Sequence, residues 1–185
     1  MSHEAPTAGV TDTGPPAADP APVNRVWSPM CWPETSIFVF GVVFNLPWEL
    51  LQAPLFLGMA DLPYAEGARR CLNAALGDGV LLLLAFWATA LALDSRRWIV
   101  AFRPRDLALF TGVALGVSVI VERLSIGALD RWSYGVAMVV VPGVGIGLAP
   151  FVQWLVLPAL VAFFVRGQLT GLALQSRRHL PGKPS

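Results

Sequence analysis

Four runs of apolar residues, each long enough to cross a hydrocarbon core, govern what this chain can fold into. They cover residues 35–58, 73–93, 107–126 and 148–166. A bilayer core about 30 Å thick takes about 20 residues of helix. Inside it, every backbone N–H and C=O has to be satisfied by the protein itself, which leaves helices as the spanning form here. Composition agrees. Of the 185 residues, 55% are hydrophobic and 14% charged, against about 25% charged in soluble domains. The expected fold is therefore all-α, an integral membrane bundle of four transmembrane helices with a Gly/Pro-broken segment before the last. Residues 1–26, rich in Ala, Pro, Thr and Asp, read as a disordered N-terminal tail. Residues 27–172 read as the transmembrane domain and 173–185 as a basic C-terminal tail. The N-terminal tail lacks the basic start and apolar core of a cleavable signal.

Several function classes fall away at this point. A net charge of +1 offers no basic field for nucleic acid. His3 and His179 both lie in the tails, so no His-rich metal site is expected within the spans. Cys31 and Cys71 form neither a CxxC motif nor a disulfide framework, and on a four-span topology they face opposite sides of the membrane. No Walker A loop, GxSxG elbow or HExxH motif is present. No cofactor is indicated.

Orientation follows from Lys and Arg. The N-terminal tail, the second loop and the C-terminal tail share one side and hold Arg25, Arg96, Arg97, Arg103, Arg105, Arg166, Arg177, Arg178 and Lys183. The other side holds Arg69, Arg70, Arg123 and Arg131. Both termini are therefore expected in the cytoplasm, in a multi-pass protein of the cell membrane. The bilayer is the first partner, and a lipidic small molecule, a second copy of the chain or another membrane protein fit the same composition.

Polar residues inside apolar spans are costly and need a reason. Asn45, Glu49 and Gln52 stand at i, i+4 and i+7 and so share one narrow helix face, which lipid would reject. Pro47 and Pro54 break the same stretch. Asp78 falls about one turn inside the expected start of the second span, Glu122 near the end of the third and Gln153 near the start of the fourth. Thr111, Ser118, Glu122 and Ser125 line one side of the third span, and Gly112 and Gly116 form a small-xxx-small pair on another. Residues 136–147, with Pro142, Gly143, Gly145 and Gly147, read as irregular or re-entrant backbone covered by protein. Carried through the topology, this puts polar groups from all four spans at similar depth in the outer half of the bilayer.

Glu49, Glu122 and Asp78 are the candidate catalytic residues. Asn45, Gln52, Gln153, Trp48, Trp132 and Tyr134 are the candidate binding residues. A structural reading stands beside each. Asp78 would suit a helix start, Glu122 an interfacial pair with Arg123, the amides interhelical packing, and the aromatic residues the interface.

Three classes of function fit such a cluster. A carboxyl that keeps its proton serves as a general acid, with a second carboxylate as base or stabiliser. That pairing suits cyclisation, isomerisation or hydration of an isoprenoid lipid, where Trp48, Trp132 and Tyr134 would add cation–π stabilisation. Alternatively, the carboxylates relay protons or hold a hard cation, or the chain is a non-catalytic subunit that docks a partner. Pro47, Trp48 and Glu49 resemble the Pro-x-Glu motif of membrane lycopene cyclases. The second acid and the Phe pair of that family are replaced here by Leu50 and Leu51. N-x-x-W-E-x-x-Q-x-P-L at 45–55, W-x-Y at 132–134 and P-x-x-x-x-G-L-x-P-x-x-Q at 142–153 together resemble a group of small uncharacterised bacterial four-span proteins. That resemblance implies the four-span fold and brings no activity.

Overall fold

A computed structural model describes residues 32–178. Four long helices carry the fold: α1 at Pro33–Gln52, α2 at Tyr64–Ala92, α3 at Pro104–Ile126 and α4 at Leu148–Arg178. All four are long and apolar enough to cross a membrane. Single 3-10 turns follow α1 at Ala53–Leu55 and precede α3 at Trp98–Val100. The helices form a ring in which α1 packs on α2 and α4, and α3 packs on the same two. The expected all-α bundle of four apolar helices is what the chain forms.

The helix starts follow local chemistry. Prolines at the first turns of α1 and α3 supply a preset φ where no amide donor is needed. At α3 the Asp106 carboxylate accepts the Arg103 N–H at 2.9 Å in a capping box. Pro47 is accommodated inside α1, and Pro54 lies in the 3-10 turn that ends it.

Two boundaries differ from expectation. Helix α2 begins at Tyr64 rather than near Asn73. The Pro63 carbonyl accepts the N–H groups of Glu66 and Gly67 at 2.9 and 3.0 Å, and a Glu66–Arg70 pair at i, i+4 carries the helix onward. Helix α4 continues to Arg178 rather than ending near Arg166. No proline interrupts it there, and Thr170 bonds back to the Arg166 carbonyl at 2.8 Å.

Glycines let α1 and α2 approach closely. A Cβ on Gly41 would meet Leu82 Cδ1 at 2.9 Å and the Gly79 backbone at 3.3 Å, and one on Gly79 would meet the Phe38 ring at 3.0 Å. Gly112 and Gly116, the pair expected to allow close approach, are exposed with open space beside them. The core gathers Ile37, Leu82, Phe86, Phe110, Trp154 and Val161 between the helices. At the α2–α3 end, Trp98 stacks between Phe86 and Phe110 at 5.8 and 5.2 Å. Arg96 pairs with Glu34 across to the start of α1 and lies 4.6 Å over Trp87.

The opposite end is strapped by irregular backbone between α3 and α4. Leu57 N–H donates to the Ser133 carbonyl at 2.9 Å and Gly135 N–H to the Leu55 carbonyl at 2.8 Å. Gly143 and Gly145 take φ values of +80° and +75°, which side-chain-bearing residues rarely adopt. Val140 and Gly147 then bridge back to back. The segment is irregular, as expected, but not covered by protein, because Val136 and Val139 are exposed. Within it, Val141 N–H donates to the Ile146 carbonyl at 2.8 Å and Gly145 N–H to the Val141 carbonyl at 3.0 Å, and Leu148 N–H closes onto the Val139 carbonyl at 2.7 Å. The expected disordered tail at 1–26, Cys31 and His179 lie outside the described residues.

Candidate functional site

The site starts from the polar face of α1. Asn45 is buried and donates to the Gly41 carbonyl one turn back at 2.7 Å, which fixes its side-chain oxygen toward α4. Gln153, in the second turn of α4, reaches across and makes its amide nitrogen the hub. That nitrogen donates to Asn45 Oδ1 at 2.8 Å, Glu49 Oε1 at 2.9 Å and Asp78 Oδ2 at 3.2 Å. Gln52 donates to Glu49 Oε1 at 2.7 Å and to Gln153 Oε1 at 3.0 Å. Glu49 Oε1 and Asp78 Oδ2 meet on one Gln153 nitrogen, which holds the two carboxyls side by side. Residues from α1, α2 and α4 thus meet in one network, with Gln153 and Asn45 at its amide centre each 1% exposed.

Asp78 is not a helix cap. It lies 14 positions beyond Tyr64, about 21 Å along α2. The dipole reading depended on the later helix start and ends with it. Glu122 does not pair with Arg123 either. Its Oε1 accepts the Tyr134 hydroxyl at 2.8 Å and the Trp132 indole N–H at 3.3 Å, while Arg123 turns away to the Val144 carbonyl at 2.9 Å. Tyr134 in turn accepts the Gly147 N–H at 2.7 Å. Burial, with the Glu122 carboxylate beside it, pushes the phenol above its ordinary pKa, so Tyr134 keeps its proton and remains a donor.

A cavity of about 680 Å³ opens among these groups. Glu49, Gln52, Asp78, Glu122, Trp132 and Gln153 all line it. Apolar walls come from Phe56, Met59, Val80, Leu81, Val121 and Trp154, and Arg70, Asn73 and Arg131 add polar groups. Asn45 supports the network from behind, and Tyr134 holds Glu122. Trp48 is half-buried and is not among the lining residues. Among the described residues no three of His, Cys, Asp and Glu come together as a metal-holding group. Glu122 therefore stands apart from the Glu49–Asp78 pair, and the three do not form the expected hard-cation set.

Several lining residues were not foreseen. Cys71, 4% exposed, donates to the Glu49 carbonyl at 3.6 Å. It precedes Asp78 by seven positions and so shares its helix face, a relation hidden while residues 64–72 read as a loop. Ser118 lies one turn before Glu122 on the polar side of α3 and was visible as such. One buried polar atom of the cavity is unpartnered: Gln52 Oε1 accepts no hydrogen bond, although Gln52 is only 5% exposed.

The arrangement has chemical capacity without a precedent to name it. Two carboxyls share one amide nitrogen, a third faces the same hollow, and apolar walls give an unsaturated chain somewhere to lie. No family model, curated protein or solved structure matches this chain.

Proposed function

We propose that the chain is a multi-pass protein of the cell membrane, both termini cytoplasmic, whose cavity receives an isoprenoid-type lipid in the outer half of the bilayer and performs acid–base chemistry on it. The observation that supports this most directly is the Glu49–Asp78 carboxyl pair, organised by Gln153 and facing a hollow with apolar walls on several sides. In the proposed step, a carboxyl O–H of the pair gives its proton to a carbon–carbon double bond. A C–H bond forms from the π electrons, and the O–H electrons remain on the carboxylate. The cation is stabilised by that carboxylate, by Glu122 and by the Trp132 ring. It is discharged when a neighbouring C–H returns its proton to the carboxylate, either directly or after the π electrons of a second double bond have closed a C–C bond onto the cation, or when water adds and returns one. The first outcome is isomerisation or cyclisation, the second hydration, and in both the acid is regenerated. The resemblance of Pro47 and Glu49 to the Pro-x-Glu of lycopene cyclases supports the same reading, although Trp48 has no place against the cavity.

The test compares lipid extracts from cells with and without the chain, and with Glu49→Gln. An isoprenoid whose level depends on the chain, and on Glu49 by about 10²- to 10⁴-fold in turnover, is the expected result, with the variant still present in the membrane. Unchanged lipids with altered proton flux would replace the reading with transport. Neither change would leave a partner-docking subunit.

A further inference from the structure

The donors and acceptors around the cavity do not balance, and the imbalance specifies the ligand's polar end. An amide nitrogen carries two hydrogens. Gln153 Nε2 already serves three acceptors, and Gln52 Nε2 serves two. The Trp132 indole and the Tyr134 hydroxyl are both committed to Glu122 Oε1. The donors of the cluster are spent. Acceptors remain: Gln52 Oε1 has no partner, and Asp78 Oδ1 and Glu122 Oε2 take none of these hydrogens. Ser118 and Asn73 can act either way, and the donor side chains of Arg70 and Arg131 lie at the exposed rim, Arg70 paired with Glu66 eight positions before Asp78, about 12 Å along the helix, and Arg131 over the Trp132 ring. An orphaned acceptor on a side chain this buried costs about 1–3 kcal/mol unless something donates to it.

We infer that the cavity takes an amphiphile whose polar end is a hydrogen-bond donor, a hydroxyl or a protonated amine, seated against Gln52 Oε1 and the Glu49–Asp78 pair. Away from that rim, an ether or ketone end brings only acceptors to a wall of acceptors. This rests on the reading that the cavity holds a lipidic molecule, and it narrows which one. A hydroxyl there is also what hydration of a double bond would leave behind.

The full chain in detergent micelles, followed by tryptophan fluorescence through Trp132 and Trp154, tests this with three probes of one chain length: an isoprenoid alcohol, the corresponding primary amine and the corresponding methyl ether. The alcohol or the amine should bind at least tenfold more tightly than the ether, and which of the two binds more tightly tells a neutral donor from a charged one. Gln52→Met, which removes this acceptor, should narrow that advantage. Equal binding of all three probes overturns the donor assignment and leaves the lipid cavity standing. No binding of any probe overturns both. The probe comparison is made on the native chain, so it decides the matter even where the variant does not accumulate.

Discussion

Gln153 concentrates more of this bundle's polar bonding than any other described side chain. Its nitrogen ties α4 to Asn45 and Glu49 on α1 and to Asp78 on α2, and its oxygen accepts from Gln52. Interhelical hydrogen bonds in membranes average about 0.6 kcal/mol, because a partly unfolded helix also finds partners. Bonds to charged groups are worth about 1.5–3 kcal/mol in general. Gln153→Leu removes several at once and leaves two carboxyls facing each other without the shared amide. It should lower unfolding stability in detergent by about 2–3 kcal/mol. Asn45→Leu, which loses a single interhelical bond, should cost about 0.5–1 kcal/mol. Equal losses in the two variants would show that the hub is no more than packing. The polar stripe of α1 was legible in advance, since i, i+4 and i+7 spacing alone puts Asn45, Glu49 and Gln52 on one face. Which residues would answer them was only partly legible. Depth brought Asp78 and Gln153 to the same level, but adjacency of α1 to both α2 and α4 is a property of the assembled ring.

At the scale of elements, the α1–α2 crossing sets how closely the acids can approach. Gly79 lies one position after Asp78, and its missing side chain lets Phe38 and Val42 of α1 press against α2. Gly79→Val should wedge the two helices apart and cost about 1–3 kcal/mol, and it should weaken probe binding as Glu49 and Asp78 separate. Gly112→Ala, on an exposed face with open space around it, should be neutral or stabilise by up to about 1 kcal/mol. Thermal unfolding of the two variants side by side checks the contrast, and an equal loss would mean that α3 carries an unseen contact. The sequence shows both glycine positions with equal clarity. It does not show which has a neighbour, because small residues permit close approach without causing it. The early start of α2 was missed for a related reason. Glu66, Arg69 and Arg70 mark residues 64–72 as too polar for a span, yet a helix can extend past the lipid into water when its charges pair at i, i+4. Beyond Arg166, α4 continues without such a pair, and Thr170 bonds back to the Arg166 carbonyl there.

For the molecule as a whole, everything proposed about the cavity depends on which leaflet it opens to. The acid cluster, the strap between α3 and α4, and the α1–α2 turn all lie at one end of the bundle. The other end carries Arg96, Arg97, Arg103 and Arg105 in the α2–α3 connection. On the proposed orientation, with this Arg-rich connection on the cytoplasmic side, the cavity faces the outer leaflet. Asp61 and Ser95 are exposed at the two ends, one in each connection. In a background of Cys31→Ala and Cys71→Ala, Asp61→Cys should react with a membrane-impermeant maleimide on intact cells. Ser95→Cys should react only after the membrane is opened. The reverse pattern would put the cavity in the cytoplasmic leaflet, where a lipid made inside the cell reaches it without first crossing the bilayer, and the carboxyls would then exchange protons with the cytoplasm instead of the exterior.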